Sequence, residues 1–186
     1  MYELRNSADM HLATKIADSF VERFNDVEKT YNQLLNKTKH YPDGKIYKGD
    51  WLLIPLKTTY KKDGVTHRLL SFDTCINDLL NQDMVVSAAF SILKPGVEIT
   101  PHKGHKGFAE KIYTAHICIY EAKNSALIVG NKKYEWKRGQ RFLFDDTVEH
   151  TAYNRGKDTR VVLLMDIARD PNDIPVFSKN MIEAYL

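Results

Sequence analysis

The chain has 186 residues, 27 basic and 24 acidic side chains for a net charge of +3, and 43% hydrophobic and 27% charged residues. At roughly 150 residues per domain this is one compact domain, and the composition excludes a disordered or fibrous chain. The positive balance is weak and its runs are short (Lys61-Lys62, Lys132-Lys133, Lys137-Arg138), so no basic stripe for nucleic acid is present, and no apolar run nears the ~20 residues that span a bilayer.

The start, Met1-Tyr-Glu-Leu-Arg-Asn, lacks the basic-then-apolar pattern of a signal peptide. Cys75 and Cys118 do not make a disulfide framework. The expectation is a soluble cytoplasmic protein with reduced thiols, no nucleic-acid partner and no membrane partner.

The first third reads as helical. Leu12, Ile16, Phe20, Phe24, Val27, Tyr31 and Leu35 recur at spacings of three and four, the stripe of an amphipathic packing surface. Ser7 or Asp9 is placed to cap it, and Asn25-Asp26 to split it. Tyr41-Pro-Asp-Gly44 signals a turn, and Trp51–Leu56 and Arg68–Phe72 read as strands.

After Asp83 short apolar stretches follow one another: Val85–Leu93, Val97–His102, Ile112–Tyr120, Ala126–Val129, Lys132–Trp136, Arg141–Phe144, Val148–Asn154 and Arg160–Ile167. They are broken by turn residues at Lys94-Pro-Gly96, Gly130-Asn131, Arg138-Gly139 and Asn154-Arg-Gly156. Eight strands at this spacing predict a mainly β protein with N-terminal helices, a sandwich or small barrel such as a jelly roll or cupin. The expected organisation is a single domain over 1–186: a helical and strand support region 1–83, a β core 84–169 and a C-terminal extension 170–186.

Histidine is the informative residue. Four of seven fall in the β region: His102, His105, His116 and His150. His102 ends the second predicted strand and His150 lies near the start of the seventh, and in a jelly roll those strands lie side by side at one mouth. Neutral imidazole is a common ligand for divalent transition metals. Spacing alone leaves open that the two are unrelated surface or core residues.

Two segments go further. Phe90-Ser91-Ile-Leu-Lys-Pro95-Gly96-Val-Glu-Ile-Thr-Pro101-His102-Lys-Gly104 resembles the aspartyl/asparaginyl β-hydroxylase family, a branch of the Fe(II)- and 2-oxoglutarate-dependent dioxygenases. So does Trp136-Lys-Arg-Gly139-Gln-Arg-Phe142-Leu-Phe144-Asp145-Asp146-Thr147-Val-Glu-His150, with Arg160 ten residues on. The resemblance covers residues 84–169. It implies a double-stranded β-helix as the catalytic core, with His102 and His150 as iron ligands and Arg160 as partner of the distal 2-oxoglutarate carboxylate. It also implies cosubstrate contacts from His116 and Ser91, and Asp146 beside the iron as acceptor for a metal-bound water. The implied activity uses O2 and 2-oxoglutarate, releases succinate and CO2, and hydroxylates an aspartate-like or other amino-acid group that is free, on an aminoacyl or peptidyl carrier, or in a peptide.

Two departures accompany it. Most iron oxygenases of this class carry a carboxylate two residues after the first histidine. Here that position is Gly104, which disfavours a three-ligand reading and leaves His105 as a substitute without a family counterpart. The family often has an arginine two residues before the histidine matched by His116. Here it is Thr114, with Lys111 a candidate replacement. The rival readings are a non-catalytic cupin-like binding module and a cupin metalloenzyme of another reaction class.

Overall fold

The computed structural model describes residues 8–178. The chain opens with helices α1 (Ala8–Glu22) and α2 (Phe24–Gln33). The break falls at Arg23, ahead of the expected Asn25-Asp26. Its backbone leaves the helical region (φ −105°, ψ 33°), and its guanidinium bonds Asp26, Asp78 and the Cys75 carbonyl. Ile16, Phe20, Val27 and Tyr31 are buried as their stripe requires. At the stripe's ends the buried positions are Ala13, Ala17 and Leu34, and Leu12 and Leu35 face solvent. Asp9 lies inside α1 rather than at its cap, and Ser7 lies outside the described residues.

Strands β1 (Lys39–His40), β2 (Tyr47–Lys48), β3 (Trp51–Lys62) and β4 (Val65–Leu70) follow, then a single helical turn α3 (Asn77–Leu80). The expected strand at 51–56 runs on to Lys62 and folds back through Asp63-Gly64. Both turn residues have positive φ (50° and 80°), the geometry of a tight two-residue hairpin. The next strand therefore starts at Val65, earlier than the expected Arg68.

Then come β5 (Val85–Leu93), β6 (Val97–Ile99), β7 (Ile112–Tyr120), β8 (Ser125–Val129), β9 (Lys132–Glu135), β10 (Arg141–Phe144), β11 (His150–Asn154) and β12 (Arg160–Ala168). One sheet has the order β1-β3-β5-β12-β7-β10, with β4 on β3, and the other β2-β6-β11-β8-β9; all pairings are antiparallel. The eight strands β5–β12 are thus shared between two facing sheets of four, the double-stranded β-helix of a jelly roll. His102 does not end β6 as expected. Pro101 has no N–H to continue the ladder, so β6 stops at Ile99 and His102 rejoins its neighbour through an isolated bridge to His150.

Alternation along the strands separates two apolar layers. On β12, Val161, Leu163, Met165 and Ile167 pack outward with Ile54, Phe90, Ala115 and Ile117 against Phe20, Val27 and Tyr31 of the helices. Val162 and Leu164 point between the sheets toward Leu93, Cys118, Leu127, Trp136 and Phe144. The helices close the outer face of the larger sheet, and the space between the sheets is left for the site. No helix among the described residues is long and apolar enough to cross a membrane.

Candidate active site

His102 and His150 exchange backbone hydrogen bonds in both directions (3.0 and 2.9 Å), which sets them directly opposite one another with their rings 4.3 Å apart. His102 Nδ1 lies 2.8 Å from the Thr100 carbonyl and His150 Nδ1 2.9 Å from that of Val148. A carbonyl only accepts, so each Nδ1 carries the proton and each Nε2 keeps its lone pair. Burial holds His150 below the ordinary histidine range, toward the neutral form that ligates metals.

Asp146 Oδ1 is 3.5 Å from His150 Nε2, and burial pushes its carboxyl above the usual range against the pull of His150, His102 and, least of the three, His105. The neighbouring Asp145 takes a different part: Oδ1 accepts from Thr147 N and Oγ1 and from Arg169, pinning the turn that presents Asp146. Gly104 explains why Asp146 fits. A Cβ at residue 104 would overlap the Asp146 carboxylate and sit 2.8 Å from the Ala109 methyl. The absent side chain makes room for a carboxylate arriving from another loop. Gly104→Asp therefore cannot simply add a ligand, as its place in sequence suggests. Among the described residues no three His, Cys, Asp or Glu side chains converge as a metal-holding group. Two free imidazole nitrogens with a carboxylate alongside nonetheless suit a divalent first-row ion.

The other end of the space is cationic. Arg160 is 1% exposed, and its Nε and Nη1 have no hydrogen-bond partner. Burial pulls its pKa down to about 9, and no carboxylate opposes it. Five buried side-chain polar atoms among the described residues lack a partner, and four lie in one cluster: Arg160 Nε and Nη1, His116 Nδ1 and Trp136 Nε1. Arg160 lies over the Trp136 ring (5.1 Å), and His116 stacks on Trp136 and meets Phe144 edge to face. Burial and Arg160 hold His116 well below its ordinary range, hence neutral. Ser91 Oγ accepts from Trp51 Nε1 at 2.9 Å and keeps its own proton to donate. Buried groups are normally satisfied, and of this set Arg160 and His116 line the cavity, where an anion would meet their N–H groups.

One cavity of about 1040 Å3 joins both ends, lined by His102, His150, Asp146, His116, Ser91 and Arg160. All six residues picked from the sequence thus share one space. His105 lines the same cavity from its rim but does not converge with His102 and His150 as a group of three. It is exposed at the lip, where its carbonyl accepts from Phe108 and Ala109. Lys111 is tied to Asp173 at 2.8 Å at the rim rather than replacing the arginine at 114. Both cysteines are free thiols, Cys75 exposed and Cys118 buried.

Asp166 was missed. It lines the same cavity from β12, its carboxylate held by Ser87 (2.6 Å) and Thr114 (3.3 Å). The alternation that turns Arg160 inward turns residues 162, 164 and 166 inward as well, and that signal was available. The mouth walls contributed by Tyr41-Pro42-Asp43 and by residues 173–178 carried no comparable pattern.

The family described as Aspartyl/Asparaginyl beta-hydroxylase matches the chain over residues 16–170. The chain is 32% identical over 85 residues to an ornithine lipid ester-linked acyl 2-hydroxylase of Rhizobium tropici, covering 46% of this chain and 30% of that protein. It is 33% identical over 106 residues to aspartate beta-hydroxylase domain-containing protein 2 of Mus musculus, covering 55% of this chain and 29% of that protein. The chain thus matches about three tenths of the length of these relatives. Among solved structures it is similar in fold to an oxidoreductase of the 2OG-Fe(II) oxygenase family from Burkholderia pseudomallei. That likeness has a TM-score of 0.52 and 8% identity over 72% of this chain and 74% of that one.

Proposed function

This chain belongs to the aspartyl/asparaginyl β-hydroxylase family, and from that premise we propose that it is an Fe(II)- and 2-oxoglutarate-dependent dioxygenase that hydroxylates an amino-acid group, free, carrier-bound or peptidyl. One observation carries the reading: a buried guanidinium with unpartnered N–H groups opens into the same cavity as two histidines whose Nε2 atoms are free. When bound, the iron and cosubstrate supply the oxidative chemistry that no side chain here offers.

The residues divide the remaining work. His102 and His150 would hold the iron, locked in orientation by the Thr100 and Val148 carbonyls. Arg160 would pair with the distal carboxylate of 2-oxoglutarate through a planar two-pronged contact, with the Ser91 hydroxyl as a further donor. Neutral His116 brings an N–H to the cosubstrate without adding a second buried charge. Asp146 would hold a proton or water beside the metal from its seat against Gly104. The apolar walls of Trp51, Leu127, Phe144 and Leu164 would limit water in the space between. Two unpaired cysteines are compatible with a reducing cytoplasm.

The test is calorimetric binding of 2-oxoglutarate to the purified protein with and without Fe(II), followed by assay of succinate release over an amino-acid and peptide panel. Metal-dependent cosubstrate binding that Arg160→Met removes is the expected result. Equal 2-oxoglutarate affinity in parent and Arg160→Met would overturn the assignment.

A further inference from the structure

Arg160 and Asp166 stand on the same inward face of β12, six residues and so about 20 Å apart at ~3.3 Å per residue. The proposed reaction uses the first and leaves the second unexplained. Asp166 is 9% exposed and sits in a row that crosses the sheet, Ser87 on β5, Asp166 on β12 and Thr114 on β7. Ser87 Oγ donates to Oδ2 at 2.6 Å and Thr114 Oγ1 to Oδ1 at 3.3 Å. Both donors are neutral. Each carboxylate oxygen accepts one bond and keeps further acceptor capacity.

No lysine, arginine or histidine among the described residues pairs with this carboxylate; the charge it feels is that of Asp146, of like sign. Lys111 at the rim is bound to Asp173, and Arg160 is at the opposite end of β12. Of the other basic residues that line the cavity, Lys103 and Lys106 are exposed on the lip and make no ion pair with Asp166. A buried carboxylate is ordinarily paired with a cation. Arg160 shows the complementary situation at the closed end, where the cosubstrate anion supplies what the chain omits.

We propose that Asp166, backed by Ser87 and Thr114, is a binding site for a cationic group of the substrate, an ammonium or guanidinium held in the mouth beside His102, His150 and Asp146. This rests on the proposed location of the metal for its meaning, and on the Asp166 geometry alone for its chemistry. It narrows the substrate from amino-acid groups in general to those with a basic group, and it sets Asp166 against an anionic side chain entering the same mouth. An arginine at 114 would face Asp166 across the strand pair and fill the site from within; threonine leaves it open.

The experiment uses the full chain loaded with Zn(II) as a redox-inert ion and 2-oxoglutarate, titrated with blocked amides of lysine, arginine, norleucine and aspartate. The parent is expected to bind the lysine or arginine amide roughly tenfold or more tighter than the uncharged norleucine amide, the weight of one charge-assisted bond. Asp166→Asn and Thr114→Arg should each erase that preference, and in Asp166→Asn a 2-oxoglutarate affinity within about twofold of the parent is the sign that the fold and closed end are intact. Asp166→Glu, which keeps the charge, should retain part of the preference. No cationic preference in the parent, a preference for the aspartate amide, or a preference that survives Asp166→Asn would each overturn the site. An Asp166-dependent cationic preference in a protein that does not bind 2-oxoglutarate would uphold this site and sink the dioxygenase reading instead.

Discussion

The two faces of β12 are made by the same backbone and obey opposite rules. Outward, Val161, Leu163, Met165 and Ile167 are buried in a continuous apolar layer under the helices. Inward, Arg160 and Asp166 are nearly as deeply buried, yet each lacks the oppositely charged partner that burial normally demands. The outward face builds stability. The inward face gives some of it up, and those unmet demands are what the proposed ligands of opposite charge would meet.

The contrast is tested hardest at the metal end. His102→Ala or His150→Ala should weaken Fe(II) binding more than about 100-fold, since one of two nitrogen ligands goes. The fold should survive, because the bridge between these residues runs through backbone atoms that alanine keeps. Metal titration beside a thermal melt checks both halves. Retained iron affinity in either variant would reject the pair as ligands.

Next comes a direct exchange between the faces. Leu163→Ala opens a cavity in the outer layer and should cost about 2–5 kcal/mol of stability with little change in the cosubstrate affinity of the folded fraction. Arg160→Met should do the reverse. Losing a buried two-pronged carboxylate partner weakens 2-oxoglutarate binding by about 2–5 kcal/mol, while removal of an uncompensated buried cation leaves the ligand-free protein as stable or more so. Urea denaturation and calorimetry on the same two variants decide it. A large stability loss in Arg160→Met would show that the guanidinium has a structural partner.

Much of this is legible in the sequence. The eight core strands were readable because turn residues punctuate them, and the motifs around His102, His150 and Arg160 named residues that do share a cavity. The β3–β4 hairpin was not read, although Asp63-Gly64 is a strong turn pair, because the charged Lys61-Lys62 beside it hid the strand. The extension of β6 to His102 failed because Pro101 cannot join a ladder. The meaning of Gly104 was beyond sequence reasoning: that its missing Cβ seats Asp146 is a contact across 42 positions. Asp166 escaped because no motif contains it and only its alternation with Arg160 places it.

Asp166 also ties the inward face to pH. Burial and Asp146 raise its folded pKa to about 7 from 3.8. For an acid raised in this way the folded state binds the proton more tightly than the unfolded chain. Its contribution is therefore least harmful below the unfolded value, and stability is lost as pH climbs through that window to about 7. Asp166→Asn should then be about 2–4 kcal/mol more stable than the parent at pH 8 and nearly equal to it at pH 4. Melting both proteins across that range measures it, and a gap independent of pH would show that Asp166 is ionised without cost in the folded protein.

The smallest effects belong to the lip, where Gly104 and His105 are neighbours with opposite burdens. Gly104→Ala places a methyl where the Asp146 carboxylate sits and against Ala109, so Asp146 must turn away from His150. Turnover should fall more than iron affinity, because both histidines and their carbonyl anchors stay in place. His105 is exposed at the cavity's rim, and its backbone carbonyl, which accepts from Phe108 and Ala109, survives substitution. His105→Ala should leave Fe(II) affinity within about twofold and the melting temperature unchanged, the ordinary result for a surface position away from packing. A large loss of iron affinity in His105→Ala would mean that the loop closes over the metal on binding and brings a third ligand with it, and the two-histidine site would have to be redrawn around that movement.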